Sequence, residues 1–252
     1  MIEFARPPKS LLGAVGHALV DFEMLRDGDR VLLGLSGGKD SLSLLHLLTH
    51  FQHHAPVRFE LAAVTIDPLS DSFSPQALKP YLNELGITYH YVEEPIMSLA
   101  QSHLVNDSYC AFCARMKRGL MYRTCREHSY NVLALGQHLD DLAESFLMSA
   151  FHGGRLQTMK AHYRIDAGDL RVIRPLVYAR ERQTRDFAAT AGFPVIPENC
   201  PACFAIPTQR EHMKQLLARE EAAHSNLFKS LKTALLPLMR EGLPDPAPRN
   251  DA

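Results

Sequence analysis

The run Val31-Leu32-Leu33-Gly34-Leu35-Ser36-Gly37-Gly38-Lys39-Asp40-Ser41 gathers hydroxyl, ammonium, carboxylate and glycine backbone groups into a few residues. An aliphatic strand that breaks at glycines and resumes as an amphipathic helix over 42–48 aims free backbone N–H groups at one point, with the helix's positive end behind them. Such a turn seats an anion, and a phosphate chain fits it. Ser36 and Ser41 add donors, Lys39 adds a full charge, and Asp40 in the first helical turn is placed to cap the helix or to hold Mg2+. A Walker loop needs four residues between its first glycine and the Gly-Lys pair, and this chain does not supply them.

Two further sets of residues carry chemistry. Asp140 and Asp141 follow Gly136-Gln137-His138-Leu139 and open a second helix, where one carboxylate can bind Mg2+ on a phosphate while the other caps the helix. Five cysteines fall as two Cys-x-x-Cys pairs, Cys110/Cys113 and Cys200/Cys203, with Cys125 apart. Arg115, Lys117, Arg118 and Arg123 follow the first pair on a helix, and cations near a helix start lower thiol pKa values, which favours thiolate ligands or nucleophiles. The four thiols suit a closed zinc site, and three of them suit an iron–sulfur cluster with one open iron. Spacing does not choose between these.

The elements that must position these groups alternate. A helical period over 11–25 precedes the loop-bearing strand, and a buried-type strand over 61–66 ends at Asp67. A helix over 75–85, a strand over 88–92, a helix over 114–128 and a strand over 131–135 follow. A helix over 142–151 stops at Gly153-Gly154, residues 160–168 read as a loop or short hairpin, and a fifth strand over 170–173 is closed by Arg174-Pro175. A helix over 181–191 stops at Gly192. Prolines then crowd the second cysteine pair, and helices over 209–223 and 227–239 end the ordered pattern. Strands alternating with helices predict an α/β fold, a doubly wound five-stranded parallel sheet with flanking N- and C-terminal helices. Ligands of such a sheet sit beyond the strand carboxyl ends, which gathers the glycine loop, Asp67, Gly136 to Asp141 and Arg174 into one site.

The 252 residues are expected to form a single domain over 1–242, with a cysteine-bearing helical extension over 193–242 and a disordered tail over 243–252. A formal charge of −1 gives no whole-molecule attraction to nucleic acid, so a nucleic-acid partner would need a local patch. The cations from Arg115 to Arg123, with Arg155, Lys160 and Arg164, are the candidate. No apolar run approaches the roughly 20 residues that span a bilayer, and residues 1–10 carry no secretory pattern, so no membrane attachment and a cytoplasmic location are expected. His46, His50, His53 and His54 are expected to be solvated, and Cys125 to be a buried structural thiol.

Ser36-Gly37-Gly38-Lys39-Asp40-Ser41 resembles the pyrophosphate loop of the N-type ATP-pyrophosphatases, whose fold is the adenine nucleotide alpha hydrolase type. The ordered set of this loop, Cys110-Ala-Phe-Cys113-Ala-Arg-Met-Lys-Arg118-Gly119, Gly136-x-His138-x-Asp140-Asp141, Phe151-His-Gly153-Gly154, Arg174-Pro-Leu176 and Cys200-x-x-Cys203 with Gln209-Arg210 resembles the TtcA family, the tRNA 2-thiocytidine synthetases. The similarity runs from about residue 12 to 217. It implies an ATP-dependent sulfurtransferase using ATP, Mg2+ and a [4Fe-4S] cluster to convert a cytidine of the tRNA anticodon loop to 2-thiocytidine. It also implies a sulfur donor such as a cysteine desulfurase, and it allows a homodimer. Carried over residue by residue, Cys110, Cys113 and Cys203 are the cluster ligands, and Cys200 is a spare or sulfur-carrying thiol. Lys39, Asp40 and Asp140 are the catalytic candidates. Ser36, Gly37, Gly38, Lys39, Asp40, Ser41, Asp67, Gly136 and Asp141 are the ATP and Mg2+ candidates. Gln137 stands where family members usually have histidine, and of the family's basic N-terminal lead only Arg6 and Lys9 remain. A paralogue acting on another nucleobase or small molecule, and a non-catalytic nucleotide-binding protein with structural zinc, are the alternative readings.

Overall fold

The structure is a computed structural model that describes residues 4–70, 73–96, 98–99, 109–196 and 209–240, with the side chains of Tyr109 and Cys110 outside that description. In chain order the main elements are α1 (Lys9–Asp21), β1 (Asp29–Gly34), α2 (Lys39–His54), β2 (Phe59–Asp67), α3 (Leu78–Glu84), β3 (Thr88–Glu93) and α4 (Tyr109–Glu127). There follow β4 (Val132–Ala134), α5 (Leu139–Gly153), β5 (His162–Arg164), β6 (Arg171–Ile173), α6 (Glu181–Ala191), α7 (Gln209–Ala223) and α8 (Leu227–Arg240).

The strands form one six-stranded sheet in the order β3-β2-β1-β4-β6-β5. Five are parallel, as the alternating pattern predicts, and β5 adds an antiparallel sixth at the edge, pairing His162 with Ile173 and Arg164 with Arg171. The five-strand expectation is corrected by that hairpin. A three-residue strand with an exposed arginine carries too little alternation to be recognised as more than a loop or hairpin.

Both faces of the sheet are covered, which is why its strands read as continuous apolar runs. Val31, Leu33, Ala63, Val132 and Ala134 point into the core under α1, α2, α5 and α6; Leu32, Val64, Leu133 and Val172 point the other way, toward Met116, Leu120 and Met121 of α4. Every residue of α2 from Ser41 to Thr49 is buried, so the helix is covered all round over these turns and not on one face only; its fully buried Leu42, Leu44, Leu45, Leu47 and Leu48 are each worth about 2 kcal/mol of apolar transfer. Glycines in the left-handed region end α5 at Gly154 and α6 at Gly192.

His46 corrects the expectation of a solvated histidine. It is buried at 1% exposure, stacked on Phe193 at 4.4 Å between ring centroids, and bonded at both nitrogens. The Ala5 N–H donates to Nδ1 at 3.0 Å, so Nε2 carries the proton toward the Tyr81 oxygen at 2.7 Å. Burial lowers its pKa to about 4. Cys125 is buried, as expected, and the tail over 243–252 lies outside the described residues. No helix among the described residues is long and apolar enough to cross a membrane.

Candidate active site

The sheet order reverses between β1 and β4, whose chain continuations leave in opposite directions and open a crevice at their carboxyl ends. The loop after β1 occupies it. Gly37 has φ +84°, a left-handed conformation that turns the chain into α2, and Gly38 is the helix N-cap without a side chain to cap it. The first-turn N–H groups of α2 therefore have no side-chain cap, the arrangement that receives an anion. The hydroxyls brace the turn: Gly38 N–H donates to Ser36 Oγ at 3.2 Å, and Ser41 Oγ donates to the Gly38 carbonyl at 3.0 Å.

The segment after β4 closes against this loop. A Cβ on Gly136 would lie 3.3 Å from the Ser41 nitrogen, so glycine there lets two backbones meet. His138 caps α5: its N–H donates to Asp141 Oδ2 at 2.9 Å, and the Asp141 N–H donates to Nδ1 at 3.3 Å. With Nδ1 accepting, the proton sits on Nε2, which faces Asp40 Oδ2 at 3.7 Å. The paired aspartates thus divide. Asp141 caps its helix, whereas Asp140 takes Arg180 Nε at 3.1 Å and the Glu181 N–H at 2.8 Å.

Helix α6 supplies residues the motifs did not reveal. Lys39 Nζ stands 3.0 Å from Asp40 and 3.0 Å from Glu181, and Thr184 Oγ1 donates to Asp40 Oδ1. Burial would lower the Lys39 pKa, but the two carboxylates more than offset it and hold the ammonium charged. Burial would raise Glu181, yet Lys214 and Lys39 bring it down to about 2. Arg180 is fixed in turn by Glu221 at 2.7 Å and by the Phe228 ring at 3.2 Å. Only the charged start of α6 could have pointed to these partners, since their pairing needs residues about 140 apart to meet (Asp40 with Thr184).

Asp67 ends β2 and is bonded to Tyr91 Oη and to the Leu69 N–H at 2.8 Å. Arg174, at the end of β6, donates to Gln137 Oε1 at 3.0 Å, so the predicted gathering of these two residues holds. Ser36, Gly37, Gly38, Lys39, Asp40, Ser41, Gly136, Asp140 and Asp141 also converge, while Asp67 lies one strand away on the β2 side.

The direction of α4 places its thiol. Arg30, at the start of β1, bonds the His128 carbonyl just past the helix end, whereas a Cβ on Gly34, at the finish of β1, would lie 2.9 Å from Met121 Sδ. The helix therefore runs against the strand, and its first turns project past the carboxyl edge. Cys113, eight residues before Met121, lies about 12 Å farther along the axis. It is half-buried beside the apolar face shared with Phe112 and Met116 and is not in a disulfide. Of Cys110 only the backbone, in the first turn of α4, is described; Cys200 and Cys203 lie outside the described residues. The residues flanking that segment are both tied to the site. Ile196 N–H donates to the Gly37 carbonyl at 2.9 Å, and Arg210 stands 3.6 Å from both Asp141 and Glu144. Among the described residues no three histidine, cysteine or acidic side chains form a metal cluster. Of the candidate RNA footprint, Arg118 is exposed and Arg123 is paired with Glu127 at 2.7 Å.

Residues 14–198 match the PP-loop domain family. The chain is 41% identical to the tRNA-cytidine(32) 2-sulfurtransferase of Geobacter sulfurreducens, over 90% of this chain and 89% of that one. It is 38% identical to the protein of the same name from Idiomarina loihiensis, over 97% and 81%. Among solved structures, the U34-tRNA thiolase NcsA from Methanococcus maripaludis with its [4Fe-4S] cluster superimposes with a TM-score of 0.76 at 22% identity, covering 95% of this chain and 80% of that one, a likeness of fold.

Proposed function

The chain belongs to the PP-loop family and, within it, to the tRNA-cytidine 2-sulfurtransferases, and on that premise we propose that it adenylates the C2 oxygen of a tRNA cytidine and replaces that oxygen with sulfur. The observation that carries this reading is the meeting of two elements at one sheet edge: the glycine loop at the end of β1, and helix α4, whose Met121 packs on Gly34 and whose Cys113 reaches beyond it.

The C2 oxygen of cytosine is a poor leaving group, so it must be activated first. It attacks the α-phosphorus of ATP, the bond from that phosphorus to the bridging oxygen breaks, and pyrophosphate leaves with the electron pair. The first-turn N–H groups of α2 and the Lys39 ammonium stabilise the charge that grows on the departing β-phosphate. Asp40, held by Thr184 and facing Lys39, is the proposed Mg2+ ligand. Asp140, whose oxygens are taken by Arg180 and the Glu181 N–H, is assigned the positioning of α6 and hence of Glu181 against Lys39. Hydrosulfide then adds at C2 and AMP departs with the former carbonyl oxygen, leaving 2-thiocytidine.

Cys110, Cys113 and Cys203 are the proposed cluster ligands. The donor set fits an iron–sulfur group: Cys113 is a thiol outside any disulfide, carried on the turns of α4 that project past the edge, and thiolates are the usual ligands of such clusters. When bound by these thiolates, a [4Fe-4S] cluster would supply iron to hold sulfide for the second step. A cytoplasmic location and a sulfur donor of the cysteine desulfurase class are part of the proposal, with a thiol reductant supplying the two electrons that bring the donor's persulfide sulfur to the hydrosulfide level.

The test is to incubate anaerobically purified protein with ATP, Mg2+, sulfide and tRNA bearing cytidine at position 32, and to measure pyrophosphate and nucleosides by mass spectrometry. RNA-dependent pyrophosphate release with 2-thiocytidine formation is expected. Intact 2-thiocytidine in the tRNA of a deletion strain overturns the assignment.

A further inference from the structure

Arg174 is a buried cation at the carboxyl edge of the sheet, 5% exposed, and among the described residues it has no acidic partner. Its Nε donates to Gln137 Oε1 at 3.0 Å, one terminal nitrogen donates to the Lys160 carbonyl at 2.6 Å, and its guanidinium lies 5.4 Å from the Tyr163 ring centre. All of these partners are neutral. Burying a guanidinium with neutral partners alone leaves much of its desolvation unrepaid. Arg118, on the exposed side of α4, sharpens the problem: burial is the largest influence and pushes the Arg174 pKa down, Tyr163 opposes it, and the nearby Arg118 charge pushes it down further. Two cations are thus brought together where a stable fold by itself would place a carboxylate.

The surroundings match a nucleic-acid backbone more closely than a second part of ATP. Arg174 ends β6, two strands from β1, roughly 10 Å across the sheet from the strand that bears the glycine loop. Two half-buried rings flank it, Tyr163 and Tyr122, whose hydroxyls are 3.4 Å apart. Gln137 adds an oriented donor. Arginine can only donate, so Oε1 must face Arg174 and the amide NH2 must point away from it. Arg118 lies five residues past Cys113, about 7.5 Å along the helix axis, and Arg174 is bonded to Gln137 of the segment after β4.

We propose that Arg174 and Arg118 form a second anion site, distinct from the glycine loop, that takes a phosphodiester of the RNA substrate and completes the charge balance of Arg174. This rests on the function proposed above, since it names where that substrate's backbone is held. The site turns a near-neutral chain into an RNA-binding one locally: the energetic gain is largest at the buried cation, and Arg118 supplies the exposed charge that meets the RNA first.

The test compares wild type with Arg118→Gln and Arg174→Gln in binding fluorescently labelled tRNA bearing cytidine at position 32 across a salt series, with ATP binding measured by calorimetry. Each variant is expected to weaken tRNA binding about tenfold and to lower the slope of log affinity against log salt by about 1, with ATP affinity unchanged in Arg118→Gln. Unaltered tRNA affinity and slope overturn the site. A loss confined to ATP also overturns it, because the phosphate then belongs to the nucleotide. Arg118→Gln decides if Arg174→Gln fails to fold, since Arg118 is exposed. A wild-type protein that binds no tRNA refutes the function itself, whereas a wild type that binds tRNA alongside variants that bind equally well refutes only this site.

Discussion

Lys39 Nζ lies 3.0 Å from Glu181 Oε1, a contact that joins the glycine loop to the first turn of α6 across the sequence. Glu181 also pairs through its other oxygen with Lys214 of α7 at 2.8 Å. The loop cation is therefore fixed by a carboxylate that is itself doubly held, so its position is set before any phosphate reaches it.

Removing that cation tests the loop. Lys39→Ala leaves Glu181 paired with Lys214, so the fold is expected to survive. RNA-dependent pyrophosphate release should fall at least about 100-fold, the scale of losing one preorganised donor to developing charge. Iron content should not change. Release at the wild-type rate removes the loop lysine from the reaction.

Gly37 and Gly28 share a positive φ, +84° and +81°, but differ in what surrounds them. A Cβ on Gly28 meets nothing within 4 Å, whereas on Gly37 it would lie 2.6 Å from Ile196 Cδ1. Gly28→Ala should cost about 1 kcal/mol in urea denaturation and retain ATP binding. Gly37→Ala should cost more and weaken ATP binding at least about tenfold, because the loop or Ile196 must move. Equal effects of the two substitutions would mean that the Ile196 contact is immaterial.

The thiols divide in the same way. Cys113→Ala is expected to lower iron and acid-labile sulfide in anaerobically purified protein and to abolish thiolation. Cys125 is buried with its thiol pushed up to about 12 by burial, which keeps it protonated and inert. Cys125→Ala should retain iron and lower stability by about 1 kcal/mol. Iron retained in the first variant or lost in the second reverses these roles.

Glu144 is 4% exposed, and its carboxyl is raised to about 7 by burial first and by Asp141 next. A folded-state value above the ordinary one near 4.5 means that the folded chain binds more proton between those limits. Its contribution is full below pH 4.5 and is lost as pH rises through 7. Glu144→Gln should therefore raise stability at pH 8 by on the order of 1 to 3 kcal/mol, with the two curves converging toward pH 4. Urea denaturation as a function of pH measures this, and a variant less stable than wild type at pH 8 contradicts it.

Much of this was readable before any fold was known, and the reasons are local. Glycine, serine and lysine in Ser36 to Ser41 dictate a turn and its chemistry through backbone freedom and fixed charge. The apolar runs at Val31 to Leu33 and Leu61 to Ile66 announce strands buried on both faces, and Gly154 and Gly192 mark where helices stop. The short strand His162–Arg164 escaped because three residues show no period. The burial of His46 escaped because a histidine among leucines on a helix has the same pattern whether its face meets solvent or Phe193.

The sequence by itself determined the glycine turn between β1 and α2, the alternation of the parallel strands with helices, and the spacing of the cysteines, since each depends on residues near one another along the chain. Only the tertiary structure decided that Asp140 serves Arg180 while Asp141 caps its helix, that Glu181 holds Lys39, and that Arg174 is buried beside Arg118 with no carboxylate partner among the described residues. Those outcomes depend on which distant groups the sheet order brings within a few ångströms, and charge pairing at that range follows from packing, which no local pattern encodes.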